Sequence, residues 1–79
     1  MSNTQTAPRS IDGTDQNGQP VTVWVGDKVR FDTHSNIGIR EDVVRECFMQ
    51  DDSLGNSFPA VVLTEHSWTR LSHILEVLA

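Results

Sequence analysis

Thr64-Glu65-His66-Ser67-Trp68-Thr69-Arg70-Leu71-Ser72-His73-Ile74-Leu75-Glu76-Val77-Leu78 sets Trp68, Leu71, Ile74, Leu75 and Leu78 at spacings of three and four. On a 3.6-residue period these side chains form one stripe, so the stretch predicts an amphipathic helix with a single face to bury. Thr64 or Ser67 would cap it, because a side-chain oxygen there satisfies an amide that the first turn leaves unpaired. Before it, Ala60-Val61-Val62-Leu63 reads as a strand whose start is limited by Pro59, and residues 51–57 read as a polar loop.

Ile39, Val43 and Cys47, flanked by Val44 and Phe48, recur at four-residue spacing, with Glu41 and Asp42 where the helix dipole favours acids. Ser35 or Asn36 would supply the N-cap. As a strand, the alternating sets Val43-Arg45-Cys47 and Val44-Glu46-Phe48 would both mix polar with apolar residues, so a short helix is the preferred reading. Val21-Thr22-Val23-Trp24-Val25 and Val29-Arg30-Phe31-Asp32-Thr33 are β-branched or aromatic and alternate, as half-buried strands do. Taking Gly26, Asp27 and Lys28 as a loop pairs Val25 with Val29 and Val23 with Phe31. That leaves Trp24 across from Arg30 on the outer face.

The predicted order is ββαβα. It implies an α+β fold, a small antiparallel sheet of three or four strands covered on one face by a short helix and a C-terminal amphipathic helix. If residues 41–49 are a strand instead, Val25-Gly26-Asp27-Lys28-Val29-Arg30-Phe31 resembles the first turn of a small SH3-like barrel carrying the same C-terminal helix. Residues 1–18 read as a flexible polar tail with a short edge strand near 10–15, leading into the turn-forming pair Asn17-Gly18. Residues 19–79 read as one globular domain.

A chain of 79 residues holds one small core and is marginally stable alone, so a partner or a second copy of the chain is expected. The single cysteine, Cys47, cannot close an internal disulfide, which suits a reducing compartment, with the cytoplasm as the expected location. The first nine residues have no apolar run of a secretory signal, and no stretch approaches the ~18 apolar residues of a membrane span.

Eleven acids against six bases give a formal charge of −5, and residues 20–79 hold nine acids and five bases. Direct binding to nucleic acid or to an anionic membrane is disfavoured, because both rest on clustered Lys and Arg. A basic protein surface is the matching partner.

Motifs for chemistry are missing. The chain has neither Gly-x-x-x-x-Gly-Lys nor Gly-x-Gly-x-x-Gly, so no common phosphate cradle is present. A calcium loop fails because Gly13-x-Asp15-x-Asn17-Gly18 lacks the first acid and puts Trp24 in place of the bidentate glutamate. His66 and His73 would lie ~10.5 Å apart on one helix, too far to share an ion. Cys47 sits on the apolar stripe and reads as a buried packing residue. No metal and no cofactor are expected. Adjacent carboxylates, Glu41-Asp42 and Asp51-Asp52, point apart, and a substrate cleft of ~300 Å³ or more is hard to carve from so small a core. The chain reads as non-enzymatic.

Small size, acidity and the lack of a catalytic motif resemble the general profile of anti-CRISPR and anti-restriction proteins. That profile implies a phage or mobile-element inhibitor that blocks a nucleic-acid-binding host complex. Asp27, Asp32, Glu41, Asp42, Glu46, Asp51 and Asp52 would meet the basic surface, with Trp24 as an aromatic anchor. The other reading is a host regulatory or assembly module, antitoxin-like or a transcription-factor partner, docking through Trp24 or the C-terminal helix.

Overall fold

The computed structural model describes residues 9–78 and contains no α-helix among them. Its strands are β1 (Ser10–Thr14), β2 (Pro20–Trp24), β3 (Lys28–Asp32), β4 (Ile39–Asp51), β5 (Ser57–Leu63), β6 (Trp68–Arg70) and β7 (Ile74–Val77), with a 3-10 turn at Leu71–His73 before the last. They form two antiparallel sheets, β1-β2 and a five-stranded sheet in the order β6-β5-β4-β3-β7. This nearly all-sheet architecture overturns the α+β expectation. Neither the short helix nor the C-terminal helix exists, and the helix appended to the barrel alternative is absent with them. Of the polar tail read over residues 1–18, residues 1–8 lie outside the described residues.

The C-terminal stripe misleads for a physical reason. Leu71 and Ile74 are both fully buried, but they bracket a 3-10 turn, whose i, i+3 spacing imitates helical recurrence. Before the turn the chain is extended, so Thr69 points inward while Trp68 and Arg70 point out. After it, β7 pairs with β3 through a register shift between Arg30 and Phe31, which offsets Leu75 from simple alternation.

In β4 the cause is a bulge. Arg45 is an extra residue between the pairs Val44↔Leu63 and Glu46↔Val62, so the buried positions are Asp42, Val44 and then Cys47. Ile39 and Val43 of the predicted stripe are exposed and only Cys47 turns inward, because the extra residue shifts the alternation by one; it also bends the strand, and β4 thereby serves both halves of the sheet.

β2 and β3 do not form the predicted hairpin, because β2 pairs with β1 and β3 lies between β4 and β7. The intervening turn crosses to β4: the Gly26 amide donates to the Val44 carbonyl at 2.8 Å, and the Val44 amide donates to the Asp27 carbonyl at 2.9 Å. Trp24 accordingly faces Ser10 across the small sheet, while Arg30 lies between Glu41 and Glu76, 3.0 Å from each. Val23, Val29 and Phe31 nevertheless reach one core with Val44, Leu63, Leu71 and Ile74, and Val21 and Val25 pack against it. Cys47 is buried there, its Sγ 3.7 Å from the Val23 carbonyl, and burial pushes its thiol pKa up, with Asp27 adding to the effect.

Gly13 lets the small sheet close on the large one. A Cβ at that position would lie 2.7 Å from Pro59 Cγ and 2.8 Å from Leu71 Cδ2, inside van der Waals contact. No helix among the described residues is long and apolar enough to cross a membrane.

Candidate functional site

Asp27, Asp32, Asp42 and Asp52, four of the seven carboxylates expected to meet a partner, hold turns instead, as Asp15 does outside that set. Asp15 Oδ1 accepts the amides of Asn17 and Gln19 at 2.9 Å each, and Asp52 Oδ1 accepts those of Leu54 and Asn56 at 2.8 and 3.0 Å. Both turns read Asp-x-x-Gly-x and place the glycine, Gly18 or Gly55, at positive φ. Asp27 accepts the Trp24 amide and Asp32 the His34 amide. The His34 amide is the main reason the Asp32 pKa falls below its ordinary value.

Asp42 departs furthest from expectation. It is 5% exposed and accepts from the amides of Val43, Glu65 and His66 and from His66 Nδ1, the last at 2.7 Å. Burial pushes its pKa up, but the hydrogen bonds from His66 and the three amides outweigh that and hold it below the ordinary carboxylate value. A carboxylate can only accept, so the shared proton lies on Nδ1 of His66. Asp42 therefore fixes the turn at residues 64–67 and is withdrawn from the surface. Thr64, read as a helix cap, anchors the same turn by donating from Oγ1 to the Val43 carbonyl at 2.8 Å.

The remaining expected contacts do not converge on one surface. Glu41 is engaged by Arg30 and Lys28 on the outer face of β3 and β4. Asp51 lies at the other end of β4, up to ~33 Å from Glu41 at ~3.3 Å per residue. Glu46 is exposed between them, and Trp24, 54% exposed, stands on the other sheet.

A different surface does come together. The register Phe48↔Ala60↔Arg70 and Glu46↔Val62↔Trp68 places these side chains on the outer face of β4, β5 and β6. Trp68, 47% exposed, lies 6.1 Å centroid to centroid from Phe48, edge to face, and 6.1 Å from Phe58, stacked. The Arg70 guanidinium sits 4.0 Å above the Phe58 ring, in cation–π contact. Sequence reading missed this face because it assigned Trp68 to the core. Trp68 and Arg70 flanking a buried Thr69 is the period-2 signal that identifies it.

Beside this face a cleft of about 440 Å³ opens between residues 66–70, Phe31 of β3, Thr33 just after it, Ile37 and His73. It is larger than the sequence reading allowed. His66 stands edge-on to Phe31 at 5.2 Å, and the His73 ring lies 4.1 Å from that of His34. Burial lowers the His73 pKa, with His34 and Arg70 adding to the effect against Asp32. Comparison with protein-family models, curated proteins and solved structures finds no match.

Proposed function

We propose that the protein is a small protein-binding module that docks through the aromatic face of β4, β5 and β6. The observation that carries the reading is Trp68, exposed by nearly half yet held against Phe48 and Phe58 beside Arg70. Trp and Arg dominate binding hot spots, and rings already fixed against one another lose little further freedom on docking. The reading is non-catalytic, since the His66–Asp42 pair serves a turn. The buried free thiol of Cys47 fits the reducing cytoplasm.

An inhibitor of the anti-CRISPR or anti-restriction kind is the second reading, and it now rests on a narrower acid set. Glu46 lies on the aromatic face, and neither it nor Asp51 makes an ion pair among the described residues. Capture of a partner from a nuclease-treated bacterial lysate separates the two. For aromatic docking, Trp68→Ala should abolish capture, and the wild-type complex should survive rising salt. For acidic mimicry, Glu46→Gln with Asp51→Asn should abolish it, and low salt steps should elute the partner.

A further inference from the structure

β6 is a terminal strand whose outer edge borders the cleft, and the cleft wall has a charge character unlike the rest of the chain. Ser67, Trp68, Thr69 and Arg70 line one side, with His73, Ile37 and Phe31 opposite. No Asp or Glu is among the lining residues, although the protein carries eleven acids, whereas Arg70, His66 and His73 all belong to the wall. Asp42 and Asp32 are themselves engaged, Asp42 with His66 and Asp32 with the His34 amide.

The backbone of β6 adds a second, independent feature. The Leu63 amide donates to the Ser67 carbonyl at 2.9 Å, which makes Val61↔Thr69 the next hydrogen-bonded pair. The amides of Trp68 and Arg70 and the Trp68 carbonyl consequently point away from β5, along an edge that no strand among the described residues covers, while the Arg70 carbonyl caps the 3-10 turn. A strand added there would send alternate side chains to opposite faces. One set would enter the cleft against His66, His73 and Ile37, and the other would lie over the outer face beside Trp68.

Resting on the docking reading above, we propose that this edge and cleft receive an extended acidic peptide segment of the partner, added to β6 as a further strand. Its alternation is specified: carboxylates toward His66 and His73 in the cleft, aliphatic side chains toward Trp68 and Phe58 on the outer face. Strand addition of this kind takes affinity from main-chain bonds and specificity from pockets for every second side chain.

The test titrates isotopically labelled full-length protein with a synthetic ten-residue peptide alternating Glu with Val or Ile, observed by NMR. Two control peptides carry Lys in place of Glu, or methylated backbone amides at every second residue. The Trp68 and Arg70 amides and the His66 and His73 ring signals should shift with the acidic peptide and with neither control. Ile37→Glu, at an exposed position, should weaken binding at least ten-fold, and Ile37→Lys should strengthen it. Affinity should rise as pH falls through the His73 titration, because an arriving carboxylate acts with Asp32 against the burial, His34 and Arg70 effects that lower the pKa of that ring. Equal binding of the Lys peptide, or no shifts at residues 66–73, overturns the proposal. If Trp68→Ala still abolishes partner capture in that case, docking by the aromatic face stands without the cleft.

Discussion

In the turn at residues 15–19 the Asp15 carboxylate collects the amides two and four residues ahead, and in the turn at residues 52–56 Asp52 does the same. The backbone bonds match as well, from Asp15 to the Gln19 carbonyl and from Asp52 to the Asn56 carbonyl. Their surroundings differ. Gln16 donates its amide to the Ile74 carbonyl at 2.8 Å and joins its side chain to Asp32 and His34, so the first turn is latched to the large sheet. Leu54, at the tip of the second, is 83% exposed. The five-residue pattern specifies local geometry, while its neighbours decide whether the turn also joins the two sheets.

The turn at residues 64–67 extends the comparison to a buried carboxylate and should show the largest effect. Asp42→Ala leaves the Glu65 and His66 amides and His66 Nδ1 without their acceptor, a loss of about 2–4 kcal/mol for a buried, charge-assisted set. Denaturant unfolding measures it. A loss below ~1 kcal/mol would show that water replaces the carboxylate and that the turn does not depend on it. The sign with pH follows from the depressed folded pKa of Asp42. Its contribution is complete above the ordinary carboxylate range near pH 4 and is lost as pH falls through the folded value.

Asp15→Ala should come next, at about 1–2 kcal/mol, because the latch to Ile74 loosens with the turn. Asp52→Ala should cost less than ~1 kcal/mol, since only local bonds are lost. Equal costs, read from paired urea titrations, would erase the distinction between latched and projecting turns. Gly18→Ala and Gly55→Ala should each cost about 1 kcal/mol and agree closely. Both sites have positive φ with nothing near an added Cβ, so backbone strain alone acts. Unequal melting shifts would mean that the two backbones are not equivalent.

The sequence disclosed its turns better than its elements. The loop read over residues 51–57 is the turn at 52–56, with Asp51 and Ser57 already paired in the sheet, and alternation placed Val23, Val29 and Phe31 toward the interior, because both signals are local. The pairing of β3 with β4 and β7 was not legible, since no nearby residue records which strand lies beside it. The two false helices have separate causes, a 3-10 turn between Leu71 and Ile74 and the extra residue Arg45. The first sets two buried residues three apart, and the second turns Cys47 inward while Ile39 and Val43 stay exposed. The aromatic face stayed hidden with them, because a helix would have buried the Trp68 that the sheet exposes.

The position of β3 bears on how the chain reaches this state. Arg30 meets Glu76 across 46 residues of sequence, so an inner strand of the large sheet is flanked on one side by residues synthesised long after it. Until residues 74–77 emerge, β3 offers an open edge and Val29 and Phe31 lack part of their cover. Assembly is therefore completed only after nearly the whole described chain has been synthesised. Its rate is set by loop closure over long separations, in the millisecond-to-second range typical of sheet proteins. During that interval a nascent-chain chaperone has its clearest access to the unpaired edge.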